Sequence, residues 1–159
     1  MAQVVAAEKK PAPRRSPGRP RDAGREQTIL VETLALLGEL GFSGLTVDAV
    51  VARAKVSKAT IYRRWATKEE LAIAAFDLLP LVEVEETGDL EGEILGYITQ
   101  YYKFLQTTSL PSVLPALVSE AMHNEVLAAR LRETVDRRRT SGIAMMQRAI
   151  DRGELPAST

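Results

Sequence analysis

Helix-capping residues recur at close intervals between residues 45 and 71, in the segment LTVDAVVARAKVSKATIYRRWATKEEL. Thr46, Ser57 and Thr67 each precede a short stretch with helical periodicity, where a hydroxyl can accept a hydrogen bond from a free backbone N–H. Thr67 and Glu70 have the spacing of a capping box, in which each side chain bonds the backbone N–H of the other residue. These signals predict short helices over residues 46–54 and from Ser57, and a third from Thr67 to about Pro80.

The sequence on both sides of this segment also has helical periodicity. Apolar residues recur at helical spacing over residues 25–40, and Gly41 is the expected C-cap. A second apolar stripe is predicted over residues 90–106, on Ile94, Ile98, Tyr101, Tyr102 and Leu105.

Prolines and capping residues divide the last third of the chain. Pro111 and Pro115 are expected to break the pattern before a short helix that ends near Met122. Asn124 then caps a long helix that stops at Gly153. Its predicted apolar side consists of Leu127, Leu131, Val135, Met145, Met146, Ala149 and Ile150. No alternating run of β-branched residues competes and no internal repeat is present, so the predicted class is all-α.

Charge is divided unevenly along the chain. Residues 1–70 contain 13 Lys and Arg against 8 Asp and Glu, whereas residues 71–159 contain 8 against 13. Residues 1–21 hold four prolines among alanines and basic residues, which predicts a disordered basic arm. A polyanion bound at the N-terminal end would explain the asymmetry, and a solubilising tail is the alternative.

The composition also limits the classes of site that are available. The chain has no cysteine and a single histidine, His123, so we expect no disulfide, no metal site and no cofactor. No apolar run approaches the roughly 20 residues of a membrane span, so we expect a cytoplasmic protein without a membrane partner. An enzyme is disfavoured because no Ser/His/Asp set, metal cluster or phosphate-binding glycine loop is present.

The segment KVSKATIYRRW, residues 55–65, concentrates four basic residues and two aromatic rings on one short helix. At about 100° per residue, Ile61 and Trp65 project to the same side and are predicted to face the core. The predicted outward side carries Ala59, Thr60, Tyr62 and Arg63, with Lys58 and Arg64 on its flanks.

Two short helices joined by a turn, the second densely basic, form the helix-turn-helix pattern, whose second helix enters the major groove of DNA. Close approach to base edges requires small and hydrogen-bonding residues, and the surrounding phosphates favour cations. Ala59, Thr60 and Arg63 meet these requirements. The alternative is that the charges merely solvate a surface helix.

Together with the preceding ILVETLALLGELGFSG, the segment resembles the DNA-binding domain of the TetR family of bacterial transcriptional repressors, over residues 22–75. The resemblance implies a three-helix DNA-binding head over residues 22–68 and a helical ligand-binding and dimerisation body over residues 69–159. It also implies a homodimer on a palindromic double-stranded operator, released by a small-molecule inducer. A nonspecific or architectural DNA-binding protein that uses the arm and the head is the alternative function.

The resemblance also implies roles for individual residues. Thr46 and Tyr62 would hold phosphates, and Lys68 would contact the DNA backbone. The base readers would lie among Ser57, Lys58, Ala59, Thr60 and Arg63. Lys55 departs from the glycine that the family often has in the turn, and either a left-handed backbone or a phosphate contact is compatible with it.

The arm contains RRSPGRPR, residues 14–21, which resembles the Arg-Gly-Arg-Pro core of AT-hook segments that lie in the narrow minor groove. The alternative is a loosely held, charged tether. The candidate DNA-contacting residues here are Arg19, Arg21 and Arg25.

Aromatic residues and methionines in the second half predict an apolar cavity between helices. The candidate ligand-binding residues are Phe76, Tyr97, Tyr101, Phe104, Met122 and Met145, each with an ordinary core position as the alternative. The run DRRRT, residues 136–140, is expected to be a solvated helix face, and pairing with Glu83, Glu85 and Glu86 is the alternative.

Similar family members continue after an RGEL-like stretch with two more long helices that form much of the dimer interface, whereas this chain stops at Thr159. We therefore expect a body that is truncated or unusually short. The sequence therefore supports the predicted two-fold dimer less strongly than it supports the DNA-binding head.

Overall fold

The computed structural model describes residues 20–157, and the side chains of residues 23–157. Within this part of the chain there are seven helices and no strand, which confirms the all-α prediction. The helices are α1 (Pro20–Gly44), α2 (Val47–Ala54), α3 (Lys58–Tyr62), α4 (Lys68–Phe76), α5 (Leu90–Thr107), α6 (Leu110–Ala121) and α7 (Glu125–Asp151). None of the helices in the described part is both long and apolar enough to cross a bilayer.

The first helix begins earlier than predicted and is interrupted where expected. It starts at Pro20, where a proline costs little because the first N–H of a helix has no intrahelical partner. Gly41 has a non-helical backbone (φ 69°, ψ −179°), so the regular helix ends there as predicted. A short turn follows, in which the Leu45 N–H donates to the carbonyls of Gly41 and Phe42, both at 3.2 Å.

The core is built around α1 and α4. Ile29 and Leu37 of α1 are fully buried, and α1 packs against α2, α4 and α6. Five of the nine residues of α4 are buried, because α4 packs against α1 and also against α7. Its buried residues are Leu71, Ala72, Ile73, Ala75 and Phe76. The fourth helix therefore connects the N-terminal helices to the C-terminal ones through continuous apolar packing.

The predicted apolar stripe of α5 is wrong in part: Ile94 and Leu105 are partly buried and Leu105 packs against the core, but the other members are exposed. Ile98 and Tyr102 are 58% and 64% exposed, whereas Glu93 and Phe104 are buried. Glu93 accepts hydrogen bonds from Arg148 Nη2 at 3.0 Å and from Arg152 Nη1 at 3.1 Å, both on or next to α7. Because these two guanidinium groups neutralise it, the Glu93 carboxylate can lie on the buried side of α5. Hydrophobic periodicity alone predicts that a different side of this helix is buried.

The predicted helix break at Pro111 and Pro115 is also wrong, because α6 runs through both prolines. Pro111 lies in the first turn, where the backbone N–H needs no partner, and Pro115 removes one internal hydrogen bond. The limits of α7 agree with prediction: Asn124 Oδ1 accepts the Leu127 N–H at 3.0 Å, and Gly153, with φ 77°, follows the helix end.

Candidate nucleic-acid interface and internal cavity

Helix α2 is capped by hydrogen bonds at both of its ends. Thr46 Oγ1 accepts the Ala49 N–H at 3.1 Å, so the predicted N-cap is confirmed. At the other end, Lys55 has a left-handed backbone (φ 54°, ψ 45°), and its N–H donates to the Val51 carbonyl. The left-handed alternative for Lys55 is therefore the one adopted, and its side chain is exposed to solvent.

The third helix has the orientation that its sequence predicts. Ile61 and Trp65 are 1% and 8% exposed and belong to the core. Ala59, Tyr62 and Arg63 are exposed, and Thr60 is half-buried. The outer side of α3 therefore presents a small residue, a hydroxyl, a phenol and a guanidinium to solvent.

A hydroxyl pair begins α3. Ser57 Oγ accepts the Thr60 N–H at 3.2 Å, which confirms the predicted cap. The hydroxyls of Ser57 and Thr60 also lie 2.9 Å apart, so one donates to the other. Because each hydroxyl carries two lone pairs and one proton, the pair retains one O–H donor and two lone pairs for further partners.

Ion pairs fasten α2 and α3 to the rest of the head. Lys58 Nζ lies 2.7 Å from Asp48 Oδ1, and this hydrogen bond raises the pKa of Lys58. Arg64 pairs with Glu26 of α1. The two cations predicted to flank the interface therefore have carboxylate partners in the protein, but such partly exposed pairs contribute little net energy and can be exchanged.

A second arginine links α2 to α1 across two carboxylates. Arg53 Nη1 lies 2.6 Å from Glu39 Oε2, and Arg53 Nε lies 3.1 Å from Glu32 Oε2. The hydrogen bond from Arg53 lowers the pKa of Glu39. These contacts hold α2 on α1, and sequence reasoning missed them because they join residues 14 and 21 positions apart.

Lys68, predicted to contact the DNA backbone, is partly buried and has two contacts within the protein. Its Nζ donates to the Phe42 carbonyl at 3.1 Å and lies 4.2 Å from the centre of the Phe42 ring. The break at Gly41 places the Phe42 carbonyl there. Lys68 therefore holds the start of α4 against the end of α1, and two of its three N–H donors are not used on the Phe42 carbonyl.

The predicted capping box at α4 is half correct. Thr67 Oγ1 accepts the Glu70 N–H at 3.2 Å, as expected. The Glu70 carboxylate, however, accepts the N–H of Ala66 at 2.8 Å rather than that of Thr67. The same carboxylate accepts a hydrogen bond from Arg130 of α7 at 2.8 Å. This contact holds it away from the Thr67 N–H, which it would bond in a complete capping box.

Residues 1–19 of the arm lie outside the described residues, and with them Arg19 and most of the AT-hook-like segment. Arg21 lies in the first turn of α1, which corrects the predicted limit of the arm, and Arg25 is exposed on α1.

A cavity of about 180 Å³ lies where the C-terminal end of α4 meets α5, α6 and α7. Four of the six predicted ligand-binding residues line it: Phe76, Tyr97, Tyr101 and Phe104. The lining residues that the sequence did not indicate are Pro80, Val82, Leu110, Leu114, Val135, Arg138 and Arg139. Most of these are aliphatic residues that no local pattern separates from ordinary core.

The two candidate methionines do not line this cavity. Met122 is 76% exposed at the C-terminal end of α6. Met145 is buried in α7 at 6% exposure, about two turns beyond Arg138, where it is an ordinary core residue.

The DRRRT run is not a solvated face throughout, because Arg138 is half-buried. Its guanidinium donates to the carbonyls of Phe76 at 2.8 Å, Leu79 at 2.9 Å and Pro80 at 3.1 Å. It also lies 4.7 Å from the centre of the Phe76 ring, and burial lowers its pKa. Arg138 thus binds three carbonyls at and just after the end of α4, a role that a charge run does not reveal.

The predicted alternative partners of the DRRRT run are not those found. Arg137 pairs with Asp77 at 2.9 Å and Arg139 lies 3.7 Å from Asp136. Glu86 instead lies 3.4 Å from Arg148.

Comparison with known proteins finds a matching family for the N-terminal helices and another for the C-terminal helices. Residues 29–75 match the family described as bacterial regulatory proteins, tetR family, and residues 84–159 match the one described as tetracyclin repressor-like, C-terminal domain. The HTH-type transcriptional regulator YdeS of Bacillus subtilis is 36% identical over 144 residues, which cover 87% of this chain and 71% of that protein.

Two further proteins agree with these matches. The DNA-binding transcriptional repressor TetR of Mycobacteroides abscessus is 32% identical over 138 residues, which cover 84% of this chain and 72% of that protein. The crystal structure of MexZ, a repressor from Pseudomonas aeruginosa, has the same fold, with a TM-score of 0.63 at 22% identity over 84% of this chain and 71% of that one.

Proposed function

The chain belongs to the TetR family of sequence-specific DNA-binding transcriptional regulators, and from this premise we propose that it is a repressor released from its operator by a small molecule. The observation that supports the proposal best is the orientation of α3. Its apolar side, Ile61 and Trp65, is anchored in the core, while Ala59 and Arg63 are exposed. Members of this family are transcription factors rather than enzymes.

We assign base reading to the outer side of α3. Ala59 allows close approach to a thymine methyl, Thr60 supplies a hydroxyl, and Arg63 can donate two parallel hydrogen bonds to guanine. Ser57, at the start of the helix, lies beside these residues and completes the set.

Phosphate contacts are assigned to the residues around this outer side. Thr46 and Tyr62 are exposed, and Lys68 keeps two N–H donors beyond the one used on the Phe42 carbonyl. Lys58 and Arg64 can exchange their carboxylate partners for phosphates at little cost. These contacts position the helix and carry no sequence information themselves.

The inducer is assigned to the cavity beside α4. Lys68, the first residue of α4, holds the end of α1, and Phe76, the last residue, lines the cavity. A ligand that displaces Phe76 would therefore move α4 relative to α1, and α1 packs against α2, which in turn packs against α3. The repressor acts as a homodimer on a palindromic operator, because two copies related by two-fold symmetry read two half-sites. A regulator that binds an operator acts where the DNA of a bacterial cell lies, which supports a cytoplasmic location.

Selection of bound sequences from a random DNA pool tests this function directly. The selected sites should contain two inverted half-sites and should bind at least about 10³-fold more tightly than random DNA of the same length. Tyr62→Ala should weaken binding to every DNA. Lys103→Ala, which removes an exposed cation from α5, is the matched control and should have no effect. A pool that yields no consensus, with equal affinity for random DNA, would contradict the proposal and indicate binding through backbone charge alone.

A further inference from the structure

The cavity beside α4 has mostly apolar walls. Its lining consists of aromatic and aliphatic residues together with two arginines, Arg138 and Arg139. Among the described residues that line it, no aspartate or glutamate is present. A cationic ligand would therefore find no carboxylate to pair with and would lie beside two like charges.

Arg138 is a wall of this cavity whose donors are already used within the protein. Its Nη2 donates to the carbonyls of Phe76 at 2.8 Å and Leu79 at 2.9 Å, and its Nη1 donates to the Pro80 carbonyl at 3.1 Å. Its Nε is buried and inaccessible to a ligand. At most one N–H, on Nη1, is left, whereas a carboxylate brings about four lone-pair sites that lose their water on burial.

A ligand carboxylate would gain little by taking the place of the three carbonyls. They would lose the charge-assisted hydrogen bonds that they now accept from the Arg138 guanidinium. The guanidinium also lies 4.7 Å from the centre of the Phe76 ring, so the protein itself supplies a further favourable contact for the cation. Arg138 therefore holds the wall of the cavity together rather than binding an anion in it.

Arg139 does not supply a dehydrated anion site either. Its side chain is 68% exposed, and its Nη1 lies 3.7 Å from Asp136 Oδ1. A hydrated arginine with a carboxylate neighbour adds little to the binding of a second carboxylate. A ligand charge of either sign would therefore lose hydration in this cavity without a compensating partner.

The size of the cavity and its aromatic walls suit one ring. The volume of about 180 Å³ is close to that of an engineered cavity of about 150 Å³ that holds benzene. The rings of Tyr97 and Tyr101 are stacked with their centres 6.1 Å apart, and Phe104 follows at 6.1 Å from Tyr101. Aromatic walls of this kind bind a planar ring through offset or edge-to-face contacts.

We propose that the ligand of this cavity is an uncharged compound with a single aromatic ring, held by packing against Tyr97, Tyr101 and Phe104. This assignment rests on the proposed function, which makes the cavity the inducer site. The two arginines of the lining make a cationic ring the most strongly excluded class of ligand.

Calorimetric titration of the full chain at neutral pH with two pairs of small aromatic compounds tests the charge requirement without any substitution. Benzamide and benzoate have nearly the same shape and differ by a negative charge, and benzyl alcohol and benzylammonium differ by a positive charge. Each uncharged compound should bind at least about tenfold more tightly than its charged counterpart, because only the charged group loses strong hydration. A smaller preference in either pair, or failure of an uncharged compound to bind, would overturn the proposal.

Nuclear Overhauser effects test where the ring binds. Protons of bound benzamide should give cross-peaks to methyl groups of Leu110, Leu114 and Val135, which line the cavity. Cross-peaks that involve only methyl groups outside the lining would contradict the assignment to this cavity.

A substitution that fills the cavity provides an independent readout. Leu114→Phe adds volume to a lining residue and should weaken the binding of benzamide at least about tenfold. Leu95→Phe, at a position of α5 that is 58% exposed, is the matched control and should leave the affinity unchanged. Equal affinities of the two variants for benzamide would contradict the proposed site.

The DNA selection described above separates this proposal from the function on which it rests. A chain that selects a palindromic site but does not prefer the uncharged compounds is a regulator with a different ligand class, which would overturn the ligand assignment alone. A chain that prefers the uncharged compounds but selects no DNA sequence would refute the repressor function and leave the ligand site in place.

Discussion

Lys55→Gly should stabilise the protein, because Lys55 is the one non-glycine residue with a positive φ in the described part of the chain. A left-handed backbone costs an L-residue about 1–2 kcal/mol, and glycine does not have this cost. Glycine loses more conformational freedom on folding, which offsets about 0.5–1 kcal/mol of the gain. We therefore expect a net gain of about 0–1.5 kcal/mol in the free energy of unfolding, centred at about 0.75 kcal/mol.

Urea denaturation of the DNA-free protein measures this gain. Lys55→Ala is the matched control, since it removes the same ammonium group but keeps a Cβ in the left-handed conformation. Lys55→Ala should show no gain, and a loss of stability in Lys55→Gly would refute the reasoning. The same two variants test the other role considered for Lys55: if its ammonium contacts a phosphate, both should lower the salt slope of operator binding by about 0.9.

Two further substitutions test how the head and the body are held. Gly41→Ala should destabilise the protein by about 1–3 kcal/mol, because φ 69° with ψ −179° is a region open essentially to glycine alone. Gly24→Ala, in the helical part of α1 with nothing within 4 Å of the added Cβ, should instead be neutral or stabilising in the same thermal melt. Glu93→Ala should cost about 2–4 kcal/mol, since it leaves the half-buried Arg148, and Arg152, without their buried carboxylate. Glu91→Ala on the exposed side of α5 should change the urea midpoint far less, and similar losses for both would contradict the assigned role of Glu93.

The features that the sequence predicted correctly depend on interactions between near neighbours. The caps at Thr46, Ser57 and Asn124 each accept an N–H three residues further along, so their geometry follows from helix formation itself. The burial of Ile61 and Trp65 follows from helical spacing in the same way. The fold class and the exposed side of α3 could therefore be predicted from the sequence.

The features that the sequence did not predict depend on partners far along the chain. Glu93 is buried because arginines 55 and 59 residues away neutralise it, and no apolar pattern shows that. Arg138 binds carbonyls at residues 76–80, and Lys68 binds the carbonyl that the Gly41 break places beside it. The charge of the cavity lining was missed for the same reason, since Arg138 belongs to a run that resembles a solvated face.

The central claim is that the outer side of α3 reads base pairs, and the sequence preference of single variants tests it most directly. Selection from random DNA should be repeated with Arg63→Ala and Tyr62→Ala, with Lys103→Ala as the control. Arg63→Ala should lose the preference at a base pair in each half-site, at a cost of about 1–3 kcal/mol, whereas Tyr62→Ala should keep the consensus and bind more weakly. An unchanged consensus with all three variants would contradict the claim that α3 is the recognition helix.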